Sequence, residues 1–247
     1  MTALNYAEIA ERPLEVATPT SRETLLRLAK RCRVGDGTHV LDVGCGQGFL
    51  LRLWARHWTL RGTGLERSAT AVAQARRKAR AEGVAGRVRF VVRPAADAPT
   101  RPDGYDVVTC LGASFALGGF GPAVVWMAQR LRPGGVLAIG EPYLVRPLSD
   151  ETRRRERATD LRTRGELVAL VNGADVRLID IMEASTRQWD RYNISSWRSV
   201  AAWARAHPQH PDRVRLEREA DAWRRRYRRF ARGSVGWALF VAEGSTT

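Results

Sequence analysis

The chain has 247 residues, of which 44% are hydrophobic, so one large α/β domain with a substantial core is expected and a largely disordered chain is excluded. No apolar run approaches the about 20 residues that span a bilayer, and the first twelve residues lack the apolar core of a secretory leader. Lysine and arginine together number 41 against 26 acidic residues, for a formal net charge of +15.

The first two thirds of the chain alternate short apolar strands with amphipathic helices. A helix is expected to begin at a capping box in which Thr20 is the N-cap and Glu23 reaches back. A second helix begins after Ser68 as its N-cap and ends at Gly83. The predicted strands are residues 39–43, 62–65, 88–92, 105–111 and 136–140, and further helices are expected at 49–58 and 122–131. This alternation predicts a Rossmann-like, doubly wound α/β sheet that is parallel in this half.

The last third is less regular. We expect a helix at residues 165–171, a strand at 176–181, helices at 195–206 and 212–231, and a closing strand at 235–241. The segment 185–233 is far longer than a hairpin needs. It is interpreted as a helical insertion that forms, with the N-terminal segment 1–19, a lid over a binding site.

A glycine turn follows the first strand, in the sequence VLDVGCGQG at residues 40–48. Glycines there allow positive φ and let the backbone approach a ligand closely. A dinucleotide site has the spacing G-x-G-x-x-G and places a pyrophosphate at the turn. Here the spacing is G-x-G-x-G, and the carboxylate of Asp42 would repel a pyrophosphate and favour a ligand with ammonium and sulfonium groups. Glu66 ends the second strand, where a carboxylate can accept both hydroxyls of a ribose.

These motifs resemble those of class I S-adenosylmethionine-dependent methyltransferases. The segment GLERS at 64–68 resembles the ribose-binding motif of that family, YDVV at 105–108 its fourth strand, and LRPGG at 131–135 the turn before its fifth strand. The resemblance runs from about residue 33 to residue 143. It implies a seven-stranded, mostly parallel sheet with an antiparallel last strand, and S-adenosylmethionine as the cofactor, converted to S-adenosylhomocysteine. The residues expected to bind it are Asp42, Gly44, Cys45, Gly46, Gly48, Glu66, Arg67, Ala95, Ala96, Asp97, Cys110 and Leu111.

One position departs from the family pattern. The family usually places an aspartate after the third strand to hold the adenine amino group, and Pro94 stands there. The contact is expected to come from Asp97 on a shifted loop or from the backbone around Ala95 and Ala96. Beyond residue 109, the sequences CLGA, GEPY, WDRY and GW are similar to a narrower group of poorly characterised bacterial methyltransferases, a resemblance that identifies no acceptor.

The methyl acceptor is expected near the end of the fifth strand. Glu141 is interpreted either as a general base or cation-binding acid or as a loop anchor, and Tyr143 is the second catalytic candidate. Ser114, Trp189, Tyr192 and Trp197 are predicted to bind the acceptor, although aromatic residues at helical spacing are more often part of a core.

The spacing and context of the cysteines argue against a metal site or a thiol nucleophile. The three cysteines, Cys32, Cys45 and Cys110, lack metal-ligand spacing and favour a reducing compartment, so a cytoplasmic location and no metal are expected. Cys110 lacks the Pro-Cys context of the cysteine nucleophile in RNA cytosine methyltransferases. It is interpreted as a residue that packs in the wall of the cofactor site.

We therefore expect one methyltransferase domain over residues 1–247, with an N-terminal lid and helix at 1–30, a cofactor-binding half at 31–145 and the insertion at 185–233. Its predicted activity is methyl transfer to a small molecule. The alternatives are an RNA or ribosomal-protein methyltransferase, favoured by the charge, and a non-catalytic cofactor-binding protein. Specific nucleic-acid binding is not expected, because arginine is spread along the chain and only residues 224–232 form a dense run.

Overall fold

The computed structural model describes residues 4–245, and the first three residues of the expected N-terminal lid lie outside that range. Seven strands form one sheet in the order β3-β2-β1-β4-β5-β7-β6. They are β1 (His39–Val43), β2 (Arg61–Glu66), β3 (Val88–Val92), β4 (Tyr105–Leu111), β5 (Leu131–Leu144), β6 (Val176–Glu183) and β7 (Val235–Gly244). Strands β1 to β5 pair in parallel, and β7 pairs antiparallel with both β5 and β6. The predicted fold is confirmed.

Nine helices of at least six residues are assigned within residues 4–245. They are α1 (Tyr6–Glu11), α2 (Arg22–Arg31), α3 (Phe49–Ala55), α4 (Ala69–Ala81), α5 (Phe120–Ala128), α6 (Asp150–Arg155), α7 (Arg164–Asn172), α8 (Thr186–Ala206) and α9 (Arg213–Arg226). A π-helical turn, Tyr227–Ala231, continues α9 toward β7. No helix in this part of the chain combines the length and apolarity needed to cross a membrane.

Successive side chains of each strand point to opposite faces of the sheet, so the core is divided into two apolar layers. Val40, Val107 and Ala138 face one layer, which contains residues of α2, α3, α4 and α8. The neighbouring residues Leu41 and Val108 face the other layer, which contains residues of α5 and α7. The sheet is covered on both faces, as a doubly wound fold requires.

Several predicted element boundaries are wrong by a few residues. The N-cap of α2 is Ser21, whose hydroxyl accepts the Thr24 N–H, and not Thr20. Helix α5 ends at Ala128 because the chain enters β5 at Leu131, which pairs with Tyr105.

Helix α8 also begins earlier than predicted, at residue 186 and not 195. Ser185 and Gln188 form a capping box at its start. This S-x-x-Q signal is present in the sequence, and it places the whole WDRY segment on the helix. Helices α1 and α6 were not predicted.

Candidate active site

The glycine turn lies at the carboxyl end of β1. Gly44, Gly46 and Gly48 all have positive φ, at 67°, 51° and 72°. A Cβ on Gly44 would lie 2.3 Å from the Cβ of Ala113, and one on Gly48 would lie 2.3 Å from the Phe90 ring. Both contacts are far inside van der Waals distance, so only glycine fits at these two positions, whereas a Cβ on Gly46 would meet nothing within 4 Å.

Glu66 is held against this turn by two backbone hydrogen bonds. Its Oε2 accepts the Gly46 N–H at 3.2 Å, and its Oε1 accepts the Ser68 N–H at 2.9 Å. Each carboxylate oxygen keeps a further lone pair for a ligand hydroxyl. The structure thus brings together Gly46 and Glu66, two of the residues predicted to bind the cofactor.

Asp42 is buried below the turn. Its Oδ1 accepts the hydroxyl of Thr109 on β4 at 2.7 Å. Burial raises the pKa of Asp42 to about 7, the Thr109 hydrogen bond lowers it, and the charge of Glu66 raises it further. Burial also raises the pKa of the Cys45 thiol. Thr109 was not identified from sequence, because its partner lies on a strand distant along the chain.

The remaining predicted cofactor residues lie at neighbouring strand ends. Ala95 is buried in a short 3₁₀ turn, Ala95–Asp97, whereas Ala96, Asp97 and Arg67 are exposed. Cys110 is completely buried among apolar residues, which raises the pKa of its thiol to about 12. Leu111 is partly buried in the opposite layer.

Glu141 lies on β5 with an unsatisfied carboxylate oxygen. Its Oε2 is buried and has no hydrogen-bond partner, and the side chain of Ser114 lies close to the carboxyl group. Burial raises the pKa of Glu141 to about 7, and the nearby Ser114 side chain opposes this rise. A carboxyl group with this pKa can take up a proton near neutral pH.

Tyr143 follows on the same face of β5 and reaches across β7. Its ring lies over Gly236, where a Cβ would be 2.5 Å from the ring. Its side chain lies near the carboxylate of Glu183 on β6, and burial together with that carboxylate raises the Tyr143 pKa. Arg164 donates to Glu183 at 2.5 Å. Tyr143, Arg164 and Glu183 line a cavity of about 360 Å³. Glu183 and Arg164 were missed from sequence, because only the pairing of β6 with β7 places them here.

The aromatic residues of the insertion form a separate cluster, which we call the α8 aromatic cluster: Trp189, Tyr192, Trp197 and Tyr227. The rings of Trp189 and Tyr192 are stacked with centroids 5.8 Å apart, and Trp197 meets Tyr227 edge to face at 5.6 Å. The cluster packs in the layer containing α2 to α4, whereas Tyr143 belongs to the other layer. The structure therefore does not place these aromatic residues in the core layer that contains Tyr143.

The α8 aromatic cluster is instead joined to the N-terminal segment. The Tyr192 hydroxyl donates to Glu11 Oε1 at 2.5 Å, and Glu11 is near enough to Glu66 for the two charges to interact. Burial raises the pKa of Glu11. Gln47, in the glycine turn, donates to the Arg12 carbonyl at 2.6 Å. Residues 4–12 therefore bridge the glycine turn and the helical insertion, a role of Glu11 that no local sequence pattern indicated.

Within residues 4–245, no three His, Cys, Asp or Glu side chains are grouped so that they could hold a metal ion.

Comparison with known proteins identifies the family. The profile described as "Methyltransferase domain" matches residues 40–135. The uncharacterized protein YjhP of Escherichia coli (strain K12) is 32% identical over 237 residues, covering 94% of this chain and 95% of YjhP. A S-adenosylmethionine-dependent methyltransferase from Geobacter sulfurreducens, crystallised with S-adenosyl-L-homocysteine, is 30% identical with a TM-score of 0.88, over 98% of this chain and 99% of the other.

This chain belongs to the S-adenosylmethionine-dependent methyltransferases. A second family member, from Thiobacillus denitrificans and also crystallised with S-adenosyl-L-homocysteine, is 29% identical with a TM-score of 0.88 and covers 98% and 99% of the two chains. The predicted class of enzyme and its cofactor, S-adenosylmethionine, are therefore confirmed. The glycine turn and the Glu66 carboxylate beside it fit the cofactor. The turn offers backbone without side chains, and Glu66 offers acceptors for the ribose hydroxyls.

Proposed function

We propose that this methyltransferase methylates a small-molecule acceptor beside Glu141. The observation that carries the proposal is the buried Oε2 of Glu141, which has no hydrogen-bond partner at the edge of the sheet where the glycine turn also lies. A buried acceptor atom without a donor costs stability, and a bound ligand that supplies the donor would remove that cost.

The cofactor would be held by the residues predicted from sequence. Glu66 would bind the ribose hydroxyls, the backbone from Gly44 to Gly48 would face the methionine part, and Asp42 would offset its positive charges. The adenine would lie against Ala95, Ala96, Asp97, Cys110 and Leu111, with Arg67 at the outer edge. When bound, S-adenosylmethionine supplies a methyl group on a positively charged sulfur that departs as a neutral thioether.

The protein then has to align the acceptor with the methyl group and exclude water. Ser114 lies beside the Glu141 carboxyl group and is proposed to orient it. Glu141 is proposed to hold the proton that a neutral acceptor gives up, and Tyr143 to shape the site next to it.

Residues 4–19 and the insertion 185–233 are proposed to form the lid of this site. Three hydrogen bonds support this assignment: Tyr192 to Glu11, the Leu4 N–H to Asp212 at 2.9 Å, and Arg215 to the Leu4 carbonyl at 2.6 Å. Contact of Trp189, Tyr192 and Trp197 with the acceptor remains part of the proposal, as does a cytoplasmic location.

The proposal is tested by incubating the enzyme with S-adenosylmethionine labelled in its methyl group and with size-fractionated cell extract. We expect the label in the small-molecule fraction, and much less of it with Glu141→Gln. Asp103→Asn, which changes an exposed carboxylate in the loop before β4 and outside the proposed lid, is the matched control. Label in RNA or in ribosomal protein would favour the alternative suggested by the +15 charge. Cofactor binding with no transfer to any fraction would identify a non-catalytic binding protein.

A further inference from the structure

The cavity beside Tyr143 continues the Glu141 site along the sheet. Glu141 on β5, Ala238 on β7 and Glu183 on β6 are paired in one row. Tyr143 is two residues beyond Glu141, about 7 Å further along the strand, and it forms one wall of the 360 Å³ cavity. This volume is within the range of cavities that bind small molecules. Glu141 and the cavity therefore lie along one face of β5, with Tyr143 between them.

Large apolar side chains are exposed around the face of β5 that carries Glu141 and Tyr143. Phe115, the residue after Ser114, is 72% exposed, and Val145, in the cavity wall, is 59% exposed. They are the two most exposed large hydrophobic residues among residues 4–245. Pro147 adds a further apolar surface to the cavity. Exposed apolar area of this kind, beside a buried polar group, is typical of a binding site for an apolar ligand.

We propose that the acceptor is an apolar small molecule whose reacting atom is a hydroxyl oxygen. Its hydroxyl would lie at Oε2 of Glu141, its apolar body against Phe115, Tyr143 and Val145, and a second polar group at Arg164 and Glu183. This inference rests on the proposed function and adds to it the chemical class of the acceptor.

The hydrogen-bonding capacity of the site favours a hydroxyl over a primary amine. A hydroxyl has one donor, and Oε2 of Glu141 is one buried acceptor without a partner. A primary amine, in the neutral form that can attack the methyl group, has two donors. Around Glu141 the structure places the Ser114 hydroxyl and the buried thiol of Cys110, which is a weak acceptor. The second N–H group would lack a strong acceptor there, and poorly satisfied buried donors weaken binding.

The charges at the site disfavour an anionic acceptor. Glu141 and Glu183 are both acidic, and the guanidinium of Arg164 is already paired with Glu183. A carboxylate or phosphate acceptor would therefore meet no free cation among these residues. A neutral polar group can instead accept from Arg164 and donate to Glu183.

In the proposed methyl transfer, Glu141 accepts the proton that the hydroxyl loses. The acceptor oxygen forms a bond to the methyl carbon with one of its lone pairs, the carbon–sulfur bond breaks, and its electron pair stays on sulfur. The hydroxyl proton passes to Oε2 of Glu141 and then to solvent. The products are a methyl ether and S-adenosyl-L-homocysteine.

The test uses the full chain, S-adenosylmethionine labelled in its methyl group, and small molecules extracted from cells. The labelled product is partitioned between water and ethyl acetate and then treated with hydroiodic acid, which releases the methyl group of an ether as methyl iodide. The same assay compares the native enzyme with Phe115→Ser and with Val125→Ser. Both variants change an exposed apolar residue to serine, but Val125 lies on α5, outside the proposed site and its lid.

We expect label that enters ethyl acetate and is released as methyl iodide. Phe115→Ser should raise KM for the purified acceptor roughly tenfold with kcat nearly unchanged, because apolar contact contributes to binding and not to the chemical step. Val125→Ser should have the native KM. Label that stays in water or resists hydroiodic acid would overturn the inference while leaving small-molecule methylation intact, as would a native KM for Phe115→Ser. Label in macromolecules, or no transfer at all, would overturn both the inference and the proposed function.

Discussion

Two carboxylates at the same edge of the sheet differ in their hydrogen bonds, and this difference separates their expected roles. Both oxygens of Glu66 accept backbone N–H groups, so the carboxylate is fixed in one orientation. One oxygen of Glu141 has no partner, and its pKa is raised to about 7 by burial. A fixed acceptor is suited to binding, and a group that titrates near neutral pH is suited to proton transfer.

Glu66→Ala should weaken the binding of S-adenosyl-L-homocysteine by about 1–3 kcal/mol, the range for hydrogen bonds to a charged group. Isothermal titration calorimetry on Glu66→Ala and on the surface control Glu217→Ala measures the difference. If Glu66→Ala binds as tightly as the native protein, the ribose is held by other residues.

Glu141→Gln should lower turnover and raise stability at pH 8. In the folded protein the pKa of Glu141 is about 7 against an ordinary 4.5, so the folded state binds this proton more tightly than the unfolded state. Its contribution to stability is therefore full below pH 4.5 and is lost as pH rises through about 7. Glutamine is uncharged, so the variant should gain about 1–3 kcal/mol at pH 8.

The two effects are measured as unfolding free energy in urea and as turnover between pH 6 and 9. Native turnover should rise with pH through about 7, and this rise should be absent in Glu141→Gln. A variant that is less stable at pH 8 yet fully active would show that Glu141 anchors the loop after β5 and takes no part in catalysis.

At the scale of elements, the contact between α1 and α8 joins the N-terminal segment to the helical insertion. Glu11 of α1 is partly buried near Glu66, and Tyr192 of α8 donates to it. Arg12 is hydrogen-bonded to Gln47 in the glycine turn. Movement of α1 away from α8 would therefore expose the edge of the sheet where Glu66 lies.

Tyr192→Phe should speed the dissociation of S-adenosyl-L-homocysteine roughly tenfold, because Glu11 loses a hydrogen bond to a buried, charged group. Stopped-flow displacement by excess unlabelled ligand measures this rate. Tyr227→Phe is the matched control, since it removes a hydroxyl of the same α8 aromatic cluster that donates to Asp190 and not to the N-terminal segment. Equal dissociation rates in the two variants would argue against a closing role for α1.

At the scale of the whole molecule, the charge distribution contrasts with the net charge. The chain carries +15, yet the site contains the carboxyl groups of Glu11, Asp42, Glu66, Glu141 and Glu183. The basic side chains are instead spread over the helices, many of them in ion pairs such as Arg229 with Glu156. A locally acidic site in a basic protein suits a positively charged cofactor better than a phosphate backbone.

RNA should therefore bind weakly and without sequence preference, through the general positive charge. Fluorescence anisotropy with two single-stranded RNAs of unrelated sequence should give equal affinities that fall steeply between 50 and 200 mM salt, by about 10³-fold or more if six or more phosphates are contacted. Tight binding of one sequence at 150 mM salt would instead support the RNA methyltransferase alternative.

The amino-acid sequence by itself determined the cofactor half of the protein. Strand β1, the glycine turn and the helix after it are contiguous in the chain, so a local pattern predicts them. Consecutive parallel strands usually lie side by side, and Glu66 ends the strand next to β1, which places it beside the turn. The family resemblance supplied the antiparallel β7. The capping box at Ser185 is also a local signal in the sequence, and it marks the start of α8 in the structure.

Only the tertiary structure decided which side chains accompany Glu141 and which accompany the cofactor. Tyr143 meets Glu183 because β7 lies between β5 and β6 and carries Gly236 at the crossing point. Tyr192 meets Glu11 because α8 packs on α1, elements at distant positions in the chain. Periodicity shows which face of an element is buried but not which partner covers it, because that choice depends on the packing of all elements at once.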